Sequence, residues 1–372
     1  MSIARSLTTR SRLIQVMTLT LAVLLLLMAF VRNDAGAVAP DGEPFERTWS
    51  RTDKPVADLQ VGRTWMWGPE ANTEGMFEEY AEGHNNARFV QYYDKARMEI
   101  TTDESIPFDS PWFVTNGLLV NELMTGELQL GDDLFEPHVP ASINVAGDPD
   151  GTTGPTYAAL AALRDADAYA VGSGIDAVVD RFGNVSSNPT FITENVTAAE
   201  YVPQTDHTVA SVFWEFMNSE GTVWEDGQYV TDALFENAFY ATGYPIIEAY
   251  WTTVDLGGEP TNVLLQCFER RCLTYTPNND PSWQVEAGNV GLHYHHWRYV
   301  QVPSETTPTA TSTATPTATS TATESPTSEP TATLPDGVTA TGDMEIEGIT
   351  SAGVIIRNMQ VAGDIQMAGW QL

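Results

Sequence analysis

Only two cysteines, Cys267 and Cys272, occur in this 372-residue chain, so no second pair exists to complete a cysteine-built metal site. Basic residues are scarce too: 17 Lys and Arg stand against 50 Asp and Glu, a net charge of −33. So acidic a chain is repelled by a phosphate backbone, which argues against a nucleic-acid partner. Also missing are Gly-x-Ser-x-Gly, His-Glu-x-x-His, a phosphate loop and a dinucleotide fingerprint. Their absence removes the usual grounds for naming an enzyme. No catalytic residue, cofactor or metal is assigned.

What is present is organised around Gln266-Cys267-Phe268-Glu269-Arg270-Arg271-Cys272-Leu273-Thr274-Tyr275. Two short strands fold about Glu269-Arg270, preceded by the apolar run Val263-Leu264-Leu265 and closed by Pro277 and Asn278. Four residues separate the cysteines, a spacing that suits facing positions on a tight hairpin and predicts a Cys267–Cys272 disulfide. A pair of free thiols is the other reading. An earlier segment, Val90-Gln91-Tyr92-Tyr93-Asp94-Lys95-Ala96-Arg97-Met98-Glu99-Ile100, matches the first type for type. Glu78 and Glu248, Gln91 and Gln266, Trp112 and Trp283 are 170, 175 and 171 positions apart, so the copies differ only by short insertions. That is an internal duplication. The first copy carries Tyr92 and Arg97 where the second carries its cysteines.

Arg5, Arg10 and Arg12 precede the apolar run Leu13–Val31, and Ala35-Gly36-Ala37 supplies a small-residue cleavage site. The pattern predicts an export signal, or an uncleaved membrane anchor at Leu13–Val31, with the body outside in either case. From Ser304 to Pro335 the chain is Thr, Ala, Pro and Ser, an extended tether. The expected organisation is a signal or anchor over 1–37, a first unit over 40–145, a connecting region over 146–205, a second unit over 206–303, the linker over 304–335 and a short β segment over 336–372. The fold class expected is α+β, with two related β-hairpin-plus-short-helix units.

Within the body, residues 40–60 show little periodicity and are expected to wrap the surface. Thr64–Glu70 alternates like a strand. Asn116–Met124 predicts a short helix stopped by Gly126, and a second helix starts at Pro155. Gly174–Val185 predicts a hairpin turning at Phe182-Gly183-Asn184. A stronger helix is expected from an Asp206 cap, with Val209, Val212, Phe213, Phe216 and Met217 at core spacing and His207 exposed in its first turn. Gly147–Gly151 reads as a plain acidic turn rather than a calcium loop.

Three resemblances follow from these residues. The blocks Arg63–Pro69 with Val90–Ile100, and His207-Thr208 with the 266–277 stretch, resemble a family of uncharacterised exported bacterial proteins. Gly243-Tyr244-Pro245, with Gln266-Cys267-Phe268 and Trp283, resembles the LGFP-type repeats of cell-envelope proteins, with Tyr244 in place of the central Phe. Asp343–Ile346, Val354–Asn358 and Gly369-Trp370-Gln371-Leu372 resemble the opening strands of a lamin-tail domain, an immunoglobulin-like sandwich here incomplete. These likenesses imply a surface-displayed protein. Its expected work is binding of cell-envelope glycan or of another envelope protein, with Trp65, Trp67, Tyr250 and Trp251 stacking on sugar faces. A secreted glycan hydrolase using acids among Glu215, Glu248 and Glu286 is the alternative, and an extracellular protein-binding scaffold is the third.

Overall fold

The computed structural model describes residues 38–301, and, as backbone only, 340–341, 345–350, 353–357 and 360–361. The Leu13–Val31 segment, the 304–335 tether and Gly369–Leu372 lie outside the described residues. The chain divides into two compact units, 1–306 and 307–372. No described helix is long and apolar enough to cross a membrane.

The body opens with α1 (Glu43–Thr52) and α2 (Lys54–Ala57). This corrects the expectation of a surface wrap over 40–60. The helix signals lie in its ends: Pro44 in the first turn, acids Glu43 and Glu46 beside it, and Arg51 in the last turn, all matched to the helix dipole. Phe45 fixes the helix to the core with no exposed surface. Thr64–Glu70 is likewise no strand. The amides of Met66, Trp67 and Gly68 all donate to the buried Asp53 carboxylate, at 2.9, 2.7 and 3.0 Å, so they are lost to any sheet ladder.

The first copy follows as an antiparallel sheet of β1 (Met76–Glu79), β2 (Ala87–Tyr92), β3 (Arg97–Ile100) and β4 (Val114–Thr115), in that order. A single 3₁₀ turn, Pro111–Phe113, leads into β4, and α3 (Leu119–Thr125) leaves it, ending at Gly126 with φ 76°. The hairpin of β5 (Glu127–Gln129) and β6 (Phe135–Pro137) closes the copy. The connecting region holds α4 (Tyr157–Leu160), capped by the Thr156 side chain, and the hairpin of β7 (Ala177–Val179) and β8 (Val185–Ser187). Next come β9 (Ala198–Val202) and β10 (His207–Ala210), then α5 (Ser211–Met217) and the ribbon of β11 (Glu220–Glu225) and β12 (Gln228–Ala233).

The strong helix expected from Asp206 is therefore shortened and shifted. Asp206 sits at φ 57° in a turn, and His207–Ala210 is extended because Glu248 claims the amide of Thr208 at 2.7 Å. Helical spacing from Val212 to Met217 survives as α5. The 147–151 turn is plain: the Asp148 carboxylate accepts the amides of Gly257 and Gly258 at 3.0 and 2.8 Å.

The second copy repeats the first from its first strand through the helix that follows its fourth. β13 (Tyr250–Leu256), β14 (Glu259–Cys267), β15 (Cys272–Tyr275) and β16 (Val285–Ala287) pair in the same antiparallel order, with the 3₁₀ turn Pro281–Trp283 before β16 and α6 (Val290–His296) after it. Here β7 adds in parallel beside β13, making six strands. Cys267 faces Cys272 in the ladder and the two are disulfide-bonded; Tyr92 faces Arg97 at the matching position. Gln91 Nε2 donates to the carbonyls of Ala39 and Thr73, and Gln266 Nε2 to those of Thr208 and Ile247. Each glutamine's Oε1 accepts a further amide, from Asp41 and from Ala210. The same side chain ties the same strand to preceding chain in both copies.

The copies also hold each other. The amides of Val120 and Asn121, at the start of α3, donate to the Glu269 carbonyl at the tip of the second hairpin, at 3.1 and 3.3 Å. Reciprocally, the Leu292 amide in α6 donates to the Asp94 carbonyl at the tip of the first, at 3.2 Å. Unpaired amides of each first helical turn thus find partners in the opposite copy. The larger sheet is buried on both faces: Tyr250, Leu265 and Cys267 face one apolar cluster, Trp251, Leu264 and Phe268 the other. A doubly buried sheet has no need of alternation, which explains Val263-Leu264-Leu265.

The second compact unit shows two antiparallel pairs, Glu345–Thr350 with Gly353–Arg357 and Ala340–Thr341 with Gln360–Val361.

Candidate functional site

Four aromatics were expected to stack on sugar, and their positions correct that expectation. Tyr250 is 3% exposed and Trp251 has no exposed surface. Trp251 stacks on Phe191 at 4.4 Å between centroids, and its Nε1 donates to the Ile175 carbonyl at 2.9 Å. Both are core residues, because β13 lies in the middle of the doubly covered sheet. Trp67 is also buried, and Trp65 is half-buried.

Trp67 nonetheless forms the floor of a cleft of about 510 Å³ whose walls are α1, the β11–β12 turn, Leu234–Ala241 and Asp109–Trp112. The floor is fixed by Arg271, which lies 4.9 Å over the Trp67 ring. Its Nε donates to the Ala241 carbonyl and its Nη2 to Asn116, each at 2.9 Å, and its Nη1 donates to the Met66 carbonyl. Burial lowers this guanidinium to about 10, offset in part by Asp53. The tip of the second hairpin therefore fixes the floor of a cleft whose walls come from both halves of the chain.

Three aromatics that sequence reasoning missed line the opening. Trp112 is 37% exposed and meets Tyr240 edge to face at 5.3 Å. Tyr240 is anchored by its hydroxyl, which donates to the Val114 carbonyl at 2.7 Å. Trp224, on β11, is half-buried and has the Lys54 ammonium 4.9 Å from its ring centre. Around them Glu43, Glu46, Asp109, Glu225, Asp226 and Glu236 are all exposed. Of the two lining arginines, Arg51 is committed to Glu225 at 3.3 Å and Asp232 at 3.2 Å, and Arg47 to the Phe108 carbonyl at 2.7 Å.

The three acids expected of a hydrolase lie outside this cleft. Glu215 is exposed on α5. Glu248 has no exposed surface: its oxygens take the Thr208 amide and hydroxyl and face His207 Nδ1 at 3.2 Å. His207, expected to be exposed, is instead buried, with its Nε2 held 3.1 Å from the Arg164 carbonyl. Glu286 is half-buried on β16, and burial raises its carboxyl against the nearby Lys95 ammonium. An acid–base pair in an apolar pocket is not assembled from these three. Among the described residues, no group of three or more His, Cys, Asp or Glu is placed to hold a metal.

A second polar centre is sealed inside. Arg97, with no exposed surface, donates from Nη1 to Glu78 at 2.8 Å and from Nε to Glu99 at 2.7 Å. Tyr92 and Tyr299 donate hydroxyls to Glu78, and Arg88 donates to Glu99 at 3.0 Å. Burial alone would raise the Glu78 carboxyl, but Arg97 and Arg298 with the two hydroxyls hold it at about 2. Nearby on α6, burial, together with Lys95 and His296, lowers His293 to about 4, with the Tyr157 hydroxyl 2.9 Å from its Nδ1.

Acid should weaken the fold in two stages. An unfolded chain protonates His293 as pH falls below about 6.5, while the folded chain resists until about 4. It protonates Glu78 below about 4.5, while the folded chain resists until about 2. Each difference favours unfolding as pH falls and leaves stability unchanged above about pH 7. The Glu78 stage is expected to remove roughly 3 kcal/mol, and the partly buried His293 stage less. Chemical denaturation at a series of pH values measures both, and Glu78→Gln should flatten only the lower stage.

Comparison with protein-family models, curated proteins and solved structures finds no match to this chain.

Proposed function

We propose that this is an exported, non-catalytic binding protein that takes cell-envelope glycan in the cleft of Trp112, Trp224 and Tyr240. The observation that carries the reading is the cleft itself. Its volume of about 510 Å³ falls in the range of roughly 300–1,000 Å³ that suits small-ligand pockets, and its aromatic faces are rimmed by exposed carboxylates that accept hydroxyl hydrogen bonds. Those carboxylates lie in solvent rather than in the apolar pocket that would prepare one as a general acid, which favours a binder over a hydrolase. The export pattern, the Thr/Pro tether and the LGFP-type resemblance around Gly243-Tyr244-Pro245 support the same setting.

The full chain is expected to co-sediment with insoluble envelope polysaccharide freed of protein. Trp112→Ala and Trp224→Ala should each weaken retention about tenfold or more. Buried Trp251 makes no ligand contact in this reading. A wild-type chain that stays in the supernatant with every polymer removes the proposal. Sedimentation only with envelope that retains its proteins moves the partner from glycan to protein.

A further inference from the structure

A second, smaller pocket of about 240 Å³ lies beside β2 and β3 and shares no residue with the aromatic cleft. One wall is Arg88, whose side chain is only 5% exposed. Its Nη1 is spent on Glu99 at 3.0 Å, and its guanidinium lies 4.3 Å over the Tyr80 ring. Its Nε and Nη2 are buried with no hydrogen-bond partner. Those two N–H groups share one edge of the guanidinium plane and form the fork that grips a carboxylate through two parallel bonds. Buried donors left empty are costly, and two on one arginine call for an acceptor.

The rest of the lining decides what carries that acceptor. Glu99, Asp103 and Asp132 face the same pocket, with the hydroxyl residues Thr101, Thr102 and Thr115. Glu99 is already neutralised between Arg88 and Arg97, and Asp132 accepts the Tyr80 hydroxyl at 2.6 Å. Asp103 is exposed and accepts a single amide, from Ser105 at 2.9 Å. A simple anion would gain the fork but meet three carboxylates; a simple cation would meet the carboxylates but leave the fork empty. A molecule bearing both charges a few bonds apart answers both. The volume of about 240 Å³ leaves room for a small α-amino acid with water beside it.

We propose that this pocket binds a small zwitterion of the α-amino-acid class, its carboxylate on the Arg88 fork and its ammonium toward Asp103 and Asp132. The site is independent of glycan binding and stands if the cleft proves empty.

The test is isothermal titration of the full chain with alanine, N-acetylalanine and alaninamide. The expected result is saturable heat with alanine and binding at least about tenfold weaker for both blocked forms, since each lacks one of the two charges. Arg88→Gln should abolish the alanine heat. Because a buried arginine also supports the fold, Asp103→Asn is the second variant: on the exposed rim, it should weaken alanine about fivefold or more and leave N-acetylalanine unchanged. No heat with alanine overturns the proposal. So does equal binding of either blocked form, or an Asp103→Asn variant that binds alanine as tightly as the wild type.

Discussion

Replacing Arg97 with methionine is expected to destabilise the chain by about 4 kcal/mol and lower its melting temperature by about 10 °C. Methionine fits the apolar stem of the site but not its charge. Glu78 and Glu99, respectively 4% exposed apiece, would lose their shared partner in a place water does not reach. Glu78 would keep Arg298 at 3.5 Å and Glu99 would keep Arg88, so the loss is large without being total. The double variant Glu78→Gln/Arg97→Met should recover about 1–3 kcal/mol of the damage, because it removes one of the stranded charges. A thermal-denaturation cycle of the two single variants and the double measures that coupling. Additive losses would mean that the ion pair contributes nothing of its own. The comparison between copies gives the prediction its interest: the hairpin position closed by a disulfide in the second copy is held in the first by Arg97 and Tyr92, 3.2 Å apart, and the carboxylates around them.

Gly291→Ala should cost about 3 kcal/mol although alanine is the better helix former. Gly291 lies in the first turn of α6, and a Cβ there would fall 2.0 Å from the Tyr93 carbonyl oxygen and 2.5 Å from that of Ala96. Both obstacles are backbone of the first hairpin's tip, which cannot rotate away as a side chain would. The helix must retreat, and the bond from Leu292 to Asp94 goes with it. Val120, the matching position in α3, bears a full side chain and still reaches Glu269. The mutual docking of the copies is therefore alike in hydrogen bonding but not in packing, and α6 approaches more closely. Urea denaturation of the variant checks the loss; an unchanged midpoint would show that this contact carries no weight.

Much of the framework was legible because it is local. Four residues between cysteines, a turn at Glu269-Arg270, Gly126 after an apolar turn and the order of side chains from Val90 to Ile100 are short-range signals, and each specifies one nearby arrangement. The repeated pattern was strong enough to place both hairpins and the helix after the first; the helix after the second, Val290–His296, came only with the structure. The α1 signals were present as well, in Pro44, Glu46 and Arg51, but its apolar stripe is thin over only 10 residues.

The aromatic cleft was not legible, and the reason is tertiary. Trp112 and Trp251 look equally suited to a sugar face as letters. Burial separates them: β13 acquires β7 on one side and a core on each face, while Trp112 stands in a 3₁₀ turn at the end of a long connection. Its neighbour Tyr240 comes from more than a hundred residues away. His207 was misplaced for a related reason, since nothing near it in sequence announces that Glu248 will take its neighbour's amide. The unfilled fork of Arg88 is likewise invisible until Glu99 is seen to use only one edge of it.

Residue-resolved amide hydrogen exchange on the native chain tests most directly whether two copies hold each other as one body. If they do, the amides of Val120 and Leu292 open only in the same global event and exchange with matching protection, and Gly291→Ala lowers both together. Protection that differs by about a hundredfold or more between the two amides, or a variant that exposes α6 while α3 keeps its wild-type protection, would contradict the account.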